Sequence, residues 1–154
     1  MNDDAVTPNG FTILYREGPC IVVNKPGGLL TQAAPHIDSL SLRIKAYLKQ
    51  LEQKTGNVYL GMPHRLDRPV SGALVVARHV RAARRLSQQF EERTVGKCYW
   101  TVVQGLVPDD EGVWQDHVLK VPDVALAKVA SAEDPDAKLA KLRYRVLQRF
   151  VSQP

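Results

Sequence analysis

Residues 61–78 read GMPHRLDRPVSGALVVAR. A single acid, Asp67, stands between Arg65 and Arg68, ahead of a Ser71-Gly72 turn and the unbroken apolar run from Ala73 to Ala77. Pro63 and Pro69 bracket an irregular segment that holds the acid at the surface, where loops on a rigid sheet carry function. Two flanking guanidinium groups favour the charged form of a carboxylate. An ionised acid is a poor general acid but suits a nucleophile or a stabiliser of positive charge. On charge pattern alone, an Arg-Asp pair on a turn is the simpler reading. The apolar run that follows predicts a strand covered on both faces.

Working outward from this stretch, short elements alternate. Ile13-Leu14-Tyr15 and Cys20-Ile21-Val22-Val23 predict strands joined by a Glu-Gly-Pro turn, and Asn24-Lys25-Pro26-Gly27-Gly28 ends the second. Asp38 or Ser39 can cap a helix with Leu40, Ile44, Leu48 and Leu51 at helical spacing. Val58-Tyr59-Leu60 is a candidate strand. A second helix is predicted over residues 79–92, with Val80, Ala83, Leu86 and Phe90 on one face and the arginines mostly off it. Three further strands are predicted at Tyr99–Val103, Val113–Leu119 and Leu142–Leu147. In the last, Leu142, Tyr144 and Val146 alternate with basic residues in a half-buried pattern. Ala130–Ala137 reads as a loop. The result is α+β, with a mainly antiparallel or mixed sheet flanked by helices.

Bulk properties narrow the function classes. The chain has 154 residues, a one-domain length, with 44% hydrophobic and 24% charged residues, as in soluble globular proteins. No stretch approaches a membrane span, and MNDDAVTPNG lacks the pattern of a signal peptide, so a cytoplasmic location with no membrane partner is expected. Cys20 and Cys98 stand far apart and outside any CxxC pattern, and His36, His64, His79 and His117 have no metal-ligand spacing; no metal is expected. HExxH, GxSxG, Walker and GxGxxG patterns are absent. The ring of His64 reads as one that orders a turn. The net charge is +5, and Arg78, Arg81, Arg84, Arg85, Arg93 and Lys97 share one stretch, either a solvated helix face or a phosphate track.

The wording of the motif separates these readings. His64-Arg65-Leu66-Asp67-Arg68-Pro69-Val70-Ser71-Gly72 resembles the HRLDxxTSG signature of RNA pseudouridine synthases of the RluA family. Ile13-Leu14-Tyr15 through Val22-Val23-Asn24-Lys25-Pro26-Gly27-Gly28-Leu29 resembles that family's opening segment. Val95 to Trp100 resembles its KxYxA strand, and Val113–Lys120 and Ala140–Leu147 match later strands in order. Val70 stands where Thr is usual and Thr101 where Ala is commoner. The family's further TGRTHQIR-like stretch, with its basic residue, is not reached before Pro154, and no S4-type module precedes Phe11.

The resemblance implies the pseudouridine synthase catalytic fold, incomplete at the C-terminus. It places a flexible tail at residues 1–10 and the N-terminal and central part of the catalytic domain at residues 11–154. It implies isomerisation of uridine in rRNA or tRNA, without a cofactor, by a chain acting as a monomer with no obligatory protein partner. Asp67 takes the nucleophilic or ribose-engaging role, and Tyr99 stacks on the target uracil. His64, Arg65, Leu66, Arg68 and Lys97 are implied on the substrate side, Lys97 sharing Tyr99's face by period two. An inert RNA-binding remnant of the same fold is the alternative, and weak or no activity is expected of these 154 residues alone. A basic nucleic-acid-binding module with a structural Asp67 is the third reading; it needs neither the Lys25–Gly28 wording nor HRLDR.

Overall fold

Period-two alternation organises the first sheet. In β2 (Cys20–Lys25), Ile21, Val23 and Lys25 fall on one face and all are buried, whereas Asn24 is exposed. The structure, a computed structural model, describes residues 6–124 and 126–150. β2 lies between β1 (Thr12–Glu17) and β3 (Gly72–Ala77), antiparallel to both. Gly18, with φ of +50°, turns β1 into β2 where a side chain would be strained.

α1 (Leu40–Leu51) starts at Ser39, whose hydroxyl accepts the Leu42 N–H at 3.4 Å. Leu40, Ile44 and Leu48 are buried with Phe11, Ile13, Ile21, Val23, Leu29, Leu66, Leu74 and Val76. Burial of each large aliphatic side chain contributes about 1.5–3 kcal/mol. Leu51, expected on the same face, is exposed because the helix ends there, one turn beyond the core. α2 (Val80–Glu91) follows β3 and packs against it with Ala83, Leu86 and Phe90 half-buried, while Val80 is exposed.

That partial cover corrects the reading of Ala73–Ala77. Leu74, Val76 and Ala77 are buried, but Ala73 is exposed and Val75 only half-buried, as befits the edge of an antiparallel sheet. Val58–Leu60 is not a strand either. Gly61 alone bridges to Ala77, with both N–H···O distances at 2.8 Å, and Pro63 has no N–H with which to continue the ladder.

The chain divides into two compact units, Met1–Cys98 and Tyr99–Pro154. The second is a three-stranded antiparallel sheet in the order β5-β4-β6, formed by β4 (Glu111–Lys120), β5 (Ala127–Ala130) and β6 (Lys138–Arg145). Gly112 lies opposite Tyr144, whose ring occupies the space a side chain would need and sits 4.5 Å from that of Trp114. Sequence alternation misplaced three features here. The four-residue β5 is too short to carry a pattern, so the expected loop at Ala130 begins only after it. β6 runs four residues earlier than the predicted Leu142 start, because its register on β4 pairs Lys138 with Val118. Leu142 is exposed, so the half-buried pattern reduces to Tyr144 and Val146. Tyr99–Val103 is not a strand: no ladder partner meets it among the described residues, and β propensity without a neighbour makes no sheet.

Residues 1–5 of the predicted tail lie outside the described residues. Thr7 to Gly10 form a turn, in which the Thr7 hydroxyl donates to the Phe11 carbonyl at 2.7 Å. Among the described residues no helix is long and apolar enough to cross a membrane.

Candidate active site

Alternation puts a lysine where β2 is due a core residue. Lys25 is fully buried, and its Nζ donates to the carbonyls of Pro26 (2.9 Å), Leu29 (2.6 Å) and Arg68 (3.2 Å). Three carbonyls for three N–H bonds fit an ammonium. Burial lowers its pKa, and the charge of Asp67 pulls the other way. The same two loops are joined again by the Gly28 N–H to the Arg68 carbonyl (2.8 Å) and by Arg68 Nε to the Gly28 carbonyl (3.0 Å). They approach so closely that a Cβ on Gly27 would lie 3.2 Å from the Pro69 carbonyl oxygen.

A second tether lies one residue before Asp67. The buried Thr31 hydroxyl donates to the Leu66 carbonyl at 2.6 Å and accepts the Leu66 N–H at 3.2 Å, while the Leu66 side chain enters the core. One side chain thereby satisfies both backbone groups of the residue between Arg65 and Asp67. Thr31→Val keeps the shape and removes both bonds. It is expected to lower stability by about 2–3 kcal/mol, read from urea unfolding, since two buried backbone groups lose their partner.

Between these tethers Asp67 is carried on a turn closed by the Val70 N–H to its carbonyl (3.1 Å). Its side chain and that of Arg65 are exposed. The expected Arg-Asp pair is not formed: among the described residues no cation lies within ion-pair distance of Asp67, because Arg68 turns its guanidinium to Gly28. The charge of Asp67 acts instead on the buried ammonium of Lys25, whose pKa it raises.

His64 faces inward. Its Nε2 accepts the Val75 N–H at 3.1 Å, which puts the ring proton on Nδ1, and the ring stacks on Phe90 at 4.4 Å. The imidazole takes a β3 edge donor that the isolated Gly61–Ala77 bridge does not reach. Burial lowers the His64 pKa, and the positive charge of Lys97 lowers it further. A depressed imidazole pKa gives stability that is complete above the unfolded value of about 6.5 and is lost as pH falls through the folded value. His64→Leu is therefore expected to cost about 1–2 kcal/mol at pH ~8, and the gap to the parent should narrow below pH ~6.5. Urea unfolding across that range checks it.

Lys97 is exposed and belongs to the first unit with Asp67, His64, Arg65, Leu66 and Arg68. Tyr99 opens the second unit and is 61% exposed. Without a strand at Tyr99, the period-two argument for a face shared with Lys97 falls away. Sequence reasoning passed over Lys25 and Thr31 as site residues. For Lys25 a signal existed: Ile21, Val23 and Lys25 share one parity, so a cation sat where the core is due. Thr31 gave none, since its partner is 35 residues away.

A tethered, exposed aspartate on an HRLD turn meets a family profile that covers most of the chain: residues 19–153 match RNA pseudouridylate synthase. The chain belongs to the RNA pseudouridylate synthase family. It is 30% identical over 140 residues to a ribosomal large subunit pseudouridine synthase C of Rickettsia bellii, covering 91% of this chain and 44% of that protein. It is 32% identical over 145 residues to a tRNA pseudouridine synthase C of Haemophilus influenzae, covering 92% of this chain and 56% of that protein. The chain thus spans about half the length of the curated relatives it matches. Human RNA pseudouridylate synthase domain containing 4 superposes with a TM-score of 0.72 at 23% identity, over 90% of this chain and 54% of the other, which marks the fold as that of a pseudouridylate synthase. The expected α+β catalytic fold and the RluA-type motif accord with this membership.

Proposed function

We propose that the protein isomerises uridine to pseudouridine in RNA, with Asp67 as the residue that engages the ribose. The observation that carries this reading is an exposed carboxylate, without an ion-pair partner among the described residues, on a turn held from below by Lys25 and Thr31. Fixed backbone with a free reactive group is what a nucleophile requires. In this reading Asp67 attacks C1′ as the N1–C1′ bond breaks, and the uracil leaves with the bonding pair. The base turns, C5 displaces the carboxylate at C1′, and the proton lost from C5 is made up at N1. Product and substrate are isomers, so no redox partner or cofactor enters. The carboxylate traps an oxocarbenium-like sugar, as in retaining glycosidases.

The target nucleotide has to leave the stack to reach Asp67. Arg65, exposed beside it, faces the RNA, Arg68 and Lys97 add positive charge, and Leu66 and His64 set the turn from within. Tyr99 stacks on the uracil. The names of the relatives point to rRNA or tRNA as the substrate class. Residues 11–154 supply the N-terminal and central part of the catalytic domain, working as a monomer in the cytoplasm. Incubation with uridine-containing rRNA and tRNA transcripts, followed by mass-tagging of pseudouridine, tests the reading. A tagged nucleotide that depends on Asp67 supports it, and none from a folded protein carrying the remainder of the family's length would sink it.

A further inference from the structure

Four basic side chains among the described residues have acidic partners: Arg43 with Asp38, Lys54 and Arg78 with Glu52, and Arg149 with Asp110. Those of α2 do not. Arg81, Arg84 and Arg85 follow at i, i+3 and i+4, the spacing that brings side chains together on one helix face, and all are exposed. No acid lies within ion-pair distance of them among the described residues. The first turn of the helix has no acid, and Glu91 appears only as its last residue. Like charges at this spacing repel and weaken a helix, so the stripe has a cost that no ion pair among the described residues offsets.

The opposite side of α2 is fixed to the segment that leads to Asp67. Ala83 sits against Gly61 so tightly that a Cβ on the glycine would come within 2.4 Å of its own Cβ. Phe90 stacks on His64, three residues before Asp67. α2 therefore joins an apolar face on the catalytic segment to a cationic face in solvent, within one compact unit. A linear polyanion along the stripe would relieve the repulsion and release counterions, and guanidinium forks match phosphate oxygens. The stripe continues into Gln88, not into the aromatic or apolar residues that build the core of a protein interface.

We propose that Arg81, Arg84 and Arg85 form a grip for the RNA phosphate backbone, distinct from the groups that act on the flipped uridine. The proposal rests on the pseudouridine synthase reading and extends its substrate contacts to α2. Three phosphate contacts contribute about 0.7 each to the salt slope for a single strand.

The test is fluorescence anisotropy of a labelled, uridine-containing single-stranded RNA, titrated with the 154-residue chain over a range of KCl concentrations. Arg81→Gln, Arg84→Gln and Arg85→Gln combined should flatten the plot of log Kd against log salt by about 2 and weaken binding ~10–100-fold at low salt. The matching triple Arg→Lys variant should keep the slope, and both should keep the helical circular dichroism of the parent. An unchanged slope in the Gln variant overturns the grip, as does competition by polyglutamate equal to that by RNA, which would mark the stripe as a site for acidic proteins. Pseudouridine formation is scored separately. A flattened slope, with no isomerisation by a folded protein of the family's full length, would leave the grip standing and remove the catalytic reading; isomerisation with an unchanged slope would do the reverse.

Discussion

Asp67→Asn is expected to abolish pseudouridine formation while leaving the protein folded. The substitution keeps the side chain's size and the backbone bond from Val70 N–H to the residue 67 carbonyl, and it removes only the negative charge. The carboxylate is exposed and closes no ion pair among the described residues, so a stability change within about 0.5 kcal/mol is expected. Loss of a nucleophile costs on the order of 10⁴-fold or more in rate. The comparison is made in a protein of the family's full length, by mass-tagged pseudouridine against a thermal unfolding curve. Residual activity above about a hundredth of the parent's, in a folded variant, would remove Asp67 from the reaction.

Lys25→Met carries the second large effect, and it falls on stability first. The methionine fills a similar volume but donates nothing, so the carbonyls of Pro26, Leu29 and Arg68 lose a common donor inside the core. Breaking a buried charged contact of this kind costs about 3–5 kcal/mol. The loss is not confined to packing, because the Arg68 carbonyl that Lys25 holds belongs to the residue next to Asp67. A drop in isomerisation that persists at temperatures where the variant is still folded is the second expected result. A stability loss below about 1 kcal/mol would mean that water replaces the ammonium with little cost.

What could be read from sequence follows the reach of each signal. β2 and α1 were legible because their buried residues recur at fixed short spacing, Ile21 and Val23 in one case and Leu40, Ile44 and Leu48 in the other. Asp67 was legible as a site only through the wording around it; its charge pattern pointed to a turn pair that the structure does not contain. Arg68 shows why. A guanidinium next in sequence can be drawn off by a carbonyl forty residues away, and Gly28 does so. The same limit hid Thr31, which meets Leu66 across 35 residues. The strand predicted at Tyr99–Val103 failed for a related reason, since its residues suit a sheet but no neighbouring strand pairs with them among the described residues.

The break at Pro63 has a consequence for solubility. β3 is an outer strand of its sheet, and such a strand offers a row of free amides to any passing chain. Here Gly61 occupies Ala77 with two backbone bonds, and the His64 imidazole occupies Val75. The edge is closed by one glycine bridge and one side chain rather than by a further strand. The segment that delivers Asp67 to the surface thus also acts as a guard against intermolecular sheet growth, a duty it performs whether or not any RNA is bound.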